Sequence, residues 1–303
     1  MNQAVPPLAQ GTLDRDAPTR LGETLLAEAW HDPRARLLRV RGAEIPIAAE
    51  TRLALVETTG DWTPVAADGA VGHVFLGRID GTPVFACAAA PGEAPESMPN
   101  ADFQWRPTFE IAVRLDESER ELVAAASALL RWHESAEFSG ADGSRTRPIQ
   151  GGWARLDDHG RELFPRTDPA VIVLIEHDGR VLLGSNALWE TGRFSLLAGF
   201  VEAGESLEQA ARREVFEESG VRLGDVNYVA SQPWPFPRSL MLGFHAFLAP
   251  GQDPEALDAD PDEISELRWF SRDELLTPPP GILLPGPLSI ARWMLDRWCE
   301  AGE

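Results

Sequence analysis

The sequence predicts an α+β protein in which a small, mostly-β N-terminal domain precedes an α/β/α sandwich built on a mixed sheet. Between residue 25 and about residue 118, short apolar stretches such as 35–40, 84–88 and 109–115 are separated by turn signals such as Asp80-Gly81 and are expected to form strands. In the last part, a β-hairpin around His177-Asp178-Gly179 precedes one long helix and further strands. That order is typical of a sheet covered by helices on both faces.

The length of 303 residues is sufficient for two domains. We expect an N-terminal domain over 1–128, a linker over 129–167 and a C-terminal domain over 168–303. Residues 1 to about 25 of the first domain are expected to form a polar, proline-containing and partly disordered arm. No apolar run reaches the roughly 18 residues that a membrane span needs, and the first residues lack a signal pattern. The two cysteines, Cys87 and Cys299, are far apart and predict no disulfide framework. A cytoplasmic location is therefore expected.

The chain is strongly acidic, with a formal net charge of −21 at pH 7. This charge argues against a protein that holds long nucleic acid by neutralising its phosphates. It leaves open a small anionic substrate that binds together with a divalent cation.

The strongest local prediction is a helix over about 206–219. Ser206 and Gln209 have the spacing of a capping box, and Gly220 stands where a helix C-terminus favours glycine. Three glutamates of this helix, Glu214, Glu217 and Glu218, fall on the side of its apolar residues, so we expect them to face the protein.

Acidic runs on helices are usually solvated faces. Three carboxylates on an inward face would instead repel one another unless cations lay among them, and oxygen ligands of this kind suit Mg²⁺ or Mn²⁺. Glu205 and the bends at Gly199 and Gly204 would add a carboxylate and free carbonyls, while Arg213 supplies a counter-charge.

The fixed positions of Gly199, Glu205, Arg213-Glu214-Val215, Glu217-Glu218 and Gly220-Val221 resemble a complete Nudix box. The resemblance implies hydrolysis of a nucleoside diphosphate linked to another group, with the three helix glutamates as metal ligands and Glu217 or Glu218 as the catalytic base.

A second motif follows the box, Gln232-Pro233-Trp234-Pro235-Phe236-Pro237-Arg238-Ser239. Alternating prolines and aromatic rings predict a stiff segment without regular hydrogen bonding, which from the residues alone is either a core-lining loop or a ring-binding surface. The segment is similar to the signature of the NADH pyrophosphatase branch of the Nudix hydrolases, which implies that all eight residues bind substrate.

The linker departs from the pattern of this branch. Relatives commonly carry a four-cysteine zinc ribbon here, yet residues 133–165 contain no cysteine. A structural zinc needs four Cys or His ligands, so we expect a degenerate ribbon without zinc.

The resemblance implies further site residues. Glu263 matches an additional metal-binding glutamate, and the carbonyl of Ala198 would also reach the metal. Phe164 matches an aromatic residue, usually tyrosine, that contacts the substrate base, and Ala291 matches a substrate-contacting alanine.

The expected function is therefore metal-dependent hydrolysis of NAD(H) to NMN(H) and AMP by a homodimer. One alternative is removal of the NAD cap from RNA by the same chemistry, helped by a local basic patch around Arg145 and Arg147. Another is a non-catalytic NAD sensor, which the intact box disfavours.

Overall fold

A computed structural model describes residues 5–49, 51–66, 69–90, 92 and 103–302. The chain divides into two compact units. The N-terminal unit comprises residues 10–166 and 235–238, and the C-terminal unit comprises residues 1–9, 167–234 and 239–303. The three-part domain division stays a prediction.

The described part of the N-terminal unit is mostly β-structure with one long helix. Its elements are α1 Ala17–Leu21, α2 Glu23–Trp30, β1 Arg36–Val40, β2 Glu44–Ala48, β3 Arg52–Leu53, β4 Val56–Glu57, β5 Val74–Ile79, β6 Thr82–Ala88, β7 Gln104–Pro107, α3 Thr108–Ile111, α4 Glu117–Ser135, β8 Thr146–Ile149, β9 Ala154–Asp157 and β10 Glu162–Leu163.

Two small sheets and α4 form the core of this unit. One sheet has the strand order β4-β1-β6-β5 and the other β3-β2-β7. Apolar side chains of α4, including Leu122, Val123 and Leu129, pack with strand residues such as Leu38 and Val74 in one buried cluster. The long helix therefore covers sheet surface that would otherwise be exposed to water.

The apolar stretch 109–115, expected to be a strand, forms instead the short helix α3 and a 3₁₀ turn over Ala112–Arg114. Arg106 and Glu110 form an ion pair across the start of this segment. Ile111 and Ala112 are buried on one side of a helical turn. A short apolar run can be buried in this way as readily as in a strand, so its pattern does not distinguish the two.

The linker forms a three-stranded antiparallel sheet in the order β10-β9-β8. This linker region has turns near Asp142, before β8, and near His159, between β9 and β10. Arg161 joins these turns, because its guanidinium pairs with Asp142 and its Nε donates to Oδ2 of Asp157 over 2.6 Å. The backbone and hydroxyl of Ser144, together with Arg161, lower the pKa of Asp142 to about 2.

Beneath this sheet lies a buried pair of basic side chains. Nη1 of the fully buried Arg155 lies 2.9 Å from Nδ1 of His133, and Nε2 of His133 lies 2.8 Å from the carbonyl oxygen of Gly152. Because a guanidinium only donates, Nδ1 accepts and Nε2 carries the proton. Burial lowers the pKa of His133 to about 4 despite the Gly152 hydrogen bond, and the charge of Arg155 acts in the same direction as burial.

The C-terminal unit has helices on both faces of a mixed sheet, as predicted. Its elements are β11 Asp168–His177, β12 Arg180–Asn186, β13 Leu197–Phe200, α5 Leu207–Ser219, β14 Leu223–Trp234, β15 Ser239–Leu248, β16 Ile264–Ser271, α6 Arg272–Leu276 and α7 Ile290–Glu300.

The sheet has the order β14-β15-β11-β12-β16, with β13 also pairing with β11. Strands β11 and β15 are parallel, and the remaining pairs are antiparallel. One face packs against α5 through Ala210, Ala211 and Val215, and the other packs against α7 through residues such as Met294. The sheet thus lies between two separate apolar cores.

The N-terminal arm was expected to be a polar, partly disordered segment over 1 to about 25. The structure describes residues 5–25, where Pro6, Pro7 and Leu8 are buried and α1 and α2 begin. Residues 1–4 lie outside the described part. No helix in the described part of the chain is long and apolar enough to span a membrane.

Candidate active site

Helix α5 begins and ends as its sequence predicts. The Ser206 hydroxyl accepts the backbone N–H of Gln209, and the Gln209 side chain accepts the N–H of Ser206, which completes the capping box. Gly220 follows in the left-handed conformation at φ 70°. Both termini are therefore fixed, and the glutamates between them have defined positions on the helix.

Strand β13 runs beside this helix. A β-carbon built on Gly199 would lie 2.0 Å from Cδ of Glu214, so only glycine allows the glutamate this position. The backbone N–H of Ala198 donates a hydrogen bond to Glu218. Because the N–H and C=O of one residue point to the same edge of an extended strand, the Ala198 carbonyl lies on the glutamate side as well.

Arg213 is the centre of an ion-pair network. Its Nε donates to Oε2 of Glu205 over 3.1 Å, while Nη1 lies 3.0 Å from Glu214 Oε1 and 2.9 Å from Glu217 Oε2. Its Nη2 also donates to the Phe200 carbonyl oxygen over 3.0 Å. The hydrogen bonds to Glu205 raise the pKa of Arg213 above its usual range. One cation thus joins the loop, the strand and two helix glutamates.

Glu218 is the most buried carboxylate of the group, with 6% of its surface exposed. Burial raises the pKa of Glu218 to about 8, and the negative charges of Glu214 and Glu263 act in the same direction. Burial also raises the pKa of Glu214, against the opposing effect of Arg213. Among the described residues, no group donates a hydrogen bond to the buried Oε2 of Glu218.

The expectation that all three helix glutamates face the protein is wrong for Glu217, whose side chain is 55% exposed. Consecutive residues are about 100° apart around a helix axis, so Glu217 lies at the edge of the buried face on which Glu218 lies. Glu263 is also exposed, in the turn before β16. Its charge nevertheless contributes to the raised pKa of Glu214 and Glu218, which indicates proximity to both.

The oxygen atoms of these residues suit a divalent cation as ligands. Glu218 Oε2 is a buried oxygen without a donor, and the neighbouring carboxylates repel it. A hard cation would relieve both conditions. In the described ranges no three His, Cys, Asp or Glu side chains already converge at metal-ligand spacing, and Arg213 holds Glu214 and Glu217 through its own ion pairs.

The proline-aromatic segment is partly regular, contrary to expectation. Gln232, Pro233 and Trp234 end β14 and pair with Met241, Leu240 and Ser239 of β15. Strand β14 is at the edge of the sheet, where a proline without an N–H is tolerated. The irregular part is the turn over residues 235–238.

Within that turn, Pro235 is buried, and Pro237 and Arg238 are exposed. The Phe236 ring lies 4.5 Å from the Phe109 ring between centroids, and the Arg131 guanidinium lies 5.7 Å from the Phe236 ring centre. The Phe236 ring therefore already packs against Phe109 and Arg131.

Two further predicted substrate residues, Gln232 and Ala291, also have buried side chains. Gln232 is fully buried, and its amide bonds only to backbone groups of Pro7, Leu288 and Ile290. The methyl group of Ala291 packs in the α7 core. Neither side chain is therefore available to a ligand, which contradicts the predicted side-chain contact of Gln232 with substrate.

Phe164 and Phe200, two of the exposed phenylalanines of the described residues, are available for stacking. Phe164, predicted from the resemblance, is 60% exposed, and Phe200 is 58% exposed. Sequence reasoning did not select Phe200, although a large aromatic residue directly after Gly199 was a usable signal. Its carbonyl contacts Arg213, so its backbone is part of the carboxylate network.

Comparison with known proteins gives concordant matches. Residues 165–293 match the NUDIX domain family. The "NAD-capped RNA hydrolase NudC" of Mycobacterium tuberculosis is 40% identical over 317 residues, covering 98% of this chain and 96% of the relative. The human "NAD-capped RNA hydrolase NUDT12" is 36% identical over 208 residues, covering 63% of this chain and 44% of that protein.

A crystal structure of a NUDIX hydrolase from Nitrosomonas europaea aligns with a TM-score of 0.44 and 23% identity, over 54% of this chain and 90% of the other. The nearly full-length similarity to NudC, the NUDIX domain match and the intact glutamate network lead to one family. The chain belongs to the Nudix hydrolases, in the branch of the NADH pyrophosphatases.

Proposed function

We propose that this chain hydrolyses the diphosphate bond of NAD(H) to give NMN(H) and AMP, in a reaction that depends on Mg²⁺ or Mn²⁺. The observation that carries the proposal is the buried Glu218, with its unpartnered oxygen and raised pKa, among Glu214, Glu217 and Glu263. The NAD-related names of the relatives support the choice of substrate.

The cation ligands would be Glu214, Glu217, Glu218, Glu263 and the carbonyl of Ala198. When bound, the cation supplies neutralisation of the diphosphate charge and a lowered pKa of the attacking water. Glu217 or Glu218 accepts the proton from that water. Arg213 orients the carboxylates, and Glu205 holds Arg213 through two hydrogen bonds.

The proposed substrate-binding groups are the exposed side chains at positions that the family resemblance implies, together with Phe200 next to Gly199. Phe164 and Phe200 present aromatic faces on which a nicotinamide or adenine ring can stack. The segment Pro233–Ser239 supplies a stiff wall, since its prolines limit the conformations of the backbone. Ala291 contributes through its backbone, whereas Gln232 is fully buried and makes no contact with the substrate itself.

The test is chromatographic analysis of products after incubation of the purified protein with NADH and Mg²⁺ or Mn²⁺. The expected products are NMNH and AMP from the wild type and from Glu208→Gln, a control that alters an exposed first-turn glutamate of α5. Glu218→Gln should give neither product. Cleavage of other dinucleotides but not NADH would overturn the substrate assignment.

A second candidate is removal of the NAD cap from RNA, because the relatives carry that name. The linker offers one supporting feature, since the Arg145 guanidinium lies 5.3 Å from the ring centre of the exposed Phe138, and Arg147 is also exposed. A cation with an aromatic face suits a single-stranded nucleotide. The net charge of −21 limits such contact to a local patch.

Charge reversal separates the two substrates. Arg145→Glu with Arg147→Glu should slow cleavage of NAD-capped RNA, lower the salt dependence of that rate, and leave NADH cleavage unchanged. Equal rates on capped RNA for both proteins would remove the linker from RNA recognition.

We also propose that the linker binds no zinc. The support is its lack of cysteine and the Arg161 ion pairs with Asp142 and Asp157 that join its two turns. Elemental analysis of the purified protein tests this. A homodimer and a cytoplasmic location remain parts of the proposal, the latter supported by the lack of a cysteine framework for disulfides, since Cys87 and Cys299 are far apart in the sequence.

A further inference from the structure

The side chain of Gln232 joins three segments that are distant in sequence. Its Nε2 donates to the carbonyl oxygens of Pro7 over 2.6 Å and of Leu288 over 2.9 Å. Its Oε1 accepts the backbone N–H of Ile290 over 2.8 Å. Both amide protons and the carbonyl oxygen are used, and the residue is fully buried.

The first segment is the N-terminal arm, residues 5–9. Leu8 is 3% exposed, and Ala9 donates to the carbonyl oxygen of Pro6 in a turn. The arm is grouped with the C-terminal unit although the following 157 residues, 10–166, belong to the other unit. Since Pro7 has no N–H, its carbonyl is the backbone group through which Gln232 can hold it.

The second segment is the beginning of α7. The N–H of Ile290, at the first position of this helix, has no partner within the helix. Gln232 supplies that partner, while the Ser289 hydroxyl accepts the N–H of Arg292. Ala291 lies next to Ile290, so the backbone proposed to contact substrate is fixed by Gln232 from the adjacent position.

The third segment is the end of β14 itself. Gln232 pairs with Met241, and the strand continues through Pro233 and Trp234 into the turn over residues 235–238. The same side chain therefore holds the α7 terminus at the point where the proline-aromatic segment leaves the sheet.

We propose that Gln232 is a positioning residue for NAD(H) hydrolysis. It fixes the N-terminal arm, the first turn of α7 and the end of β14 relative to one another and does not touch substrate. This inference rests on the proposed function. Residues 5–9 then support the substrate-binding region. Gln232, the first residue of the proline-aromatic motif, holds backbone segments in place and does not contact the ligand.

Two substitutions test this role. Gln232→Glu keeps an acceptor for Ile290 but places a carboxylate against the carbonyl oxygens of Pro7 and Leu288. Gln232→Leu keeps much of the volume and removes all three hydrogen bonds, and it serves if the glutamate variant does not fold. Ser271→Ala is the matched control, because it removes the cap of α6 in the same unit without touching any of the three segments.

The measurements are hydrogen–deuterium exchange of the full-length protein without substrate, and steady-state kinetics with NADH. In both Gln232 variants, amides in peptides containing Leu8–Ala9 and Ile290 should exchange faster, while peptides of α5 are unchanged. The KM for NADH should rise about tenfold with kcat within about threefold, since positioning of the substrate segments is lost and the carboxylates are intact. Manganese affinity should be unchanged.

Unchanged exchange in either segment would overturn the inference, as would an equal rise in KM in Ser271→Ala. A parallel fall of kcat and manganese affinity would also overturn it, since that indicates general damage to the unit. If the wild type does not cleave NADH, the proposed function fails and the catalytic part of the inference fails with it; the exchange data then decide only whether Gln232 holds the two segments in place, which faster exchange in both would support.

Discussion

Nη1 of Arg213 lies 3.0 Å from Oε1 of Glu214 and thereby fixes one proposed metal ligand through its immediate neighbour in the chain. The same atom is shared with Glu217, and the rest of the guanidinium is occupied by Glu205 and the Phe200 carbonyl. A planar fork with five donors can satisfy all of these acceptors, whereas a single ammonium group cannot.

Replacing Arg213 with lysine should therefore disorganise the carboxylates while keeping the charge. We expect kcat to fall by about 10- to 100-fold, in the range seen when a group that orients metal ligands is lost, together with weaker manganese binding. Arg212→Lys, one residue away on an exposed position, is the control. Normal manganese affinity in Arg213→Lys would show that the fork geometry is dispensable.

Glu218→Gln should separate stability from activity. Loss of this proposed ligand should reduce kcat/KM by about 1,000-fold, the scale of several kcal/mol that a catalytic metal supplies. In the metal-free protein the same change should be stabilising at pH 8, because it removes a charge from a buried position.

The sign of this pH effect follows from the raised pKa. The folded-state pKa of Glu218 is about 8, against 4.5 for an ordinary glutamate, so the wild type loses stability as the pH rises between these values. The loss is on the order of 4 kcal/mol, at about 1.4 kcal/mol per pKa unit. Urea unfolding in a chelator should show Glu218→Gln more stable at pH 8 and equal at pH 4.5; no difference at pH 8 would contradict the burial argument.

Gly199→Ala should displace Glu214. The added methyl group would overlap the Glu214 carboxyl, which must then rotate away from the other glutamates. We expect at least a tenfold loss of kcat/KM, as for other misplaced catalytic groups, with little change in Tm. Gly286→Ala is the control, since its β-carbon would meet no atom within 4 Å. Full activity in Gly199→Ala would mean that Glu214 tolerates other positions.

The buried His133 should make the protein sensitive to acid. Its folded-state pKa of about 4 lies below the 6.5 of an ordinary histidine, so its contribution to stability is intact above pH 6.5 and is lost as the pH falls toward 4. The loss by pH 4 is about 3 kcal/mol. His133→Gln can still accept from Arg155 and donate to Gly152, so its urea stability should decline less between pH 7 and 4.5. Parallel declines would place the acid sensitivity elsewhere.

The sequence is most informative where function depends on local spacing. The boundaries of α5, its capping box and the position of Gly220 follow from residues within one helix, and the structure confirms them. The close approach of Glu214 to Gly199 follows from the same short motif, because strand, loop and helix are adjacent in the chain.

Long-range relationships could not be read in this way. Gln232 bonds to Pro7 across a separation of 225 residues, and no local pattern predicts that contact. The exposure of Glu217 depends on which part of α5 the sheet covers, and sequence periodicity defines that margin only to within about one residue. The segment 109–115 was misassigned because short apolar runs suit strands and helical turns alike.

The linker joins its two turns through Arg161, Asp142 and Asp157, at the place where relatives commonly use cysteines. Guanidinium and carboxylate groups do not undergo the oxidation that converts a thiolate to sulfenic acid or disulfide. The fold of this segment should therefore survive peroxide treatment that would strip a cysteine-bound metal from a ribbon. High salt and strong acid should destabilise this segment instead, because salt weakens ion pairs and strong acid protonates the carboxylates.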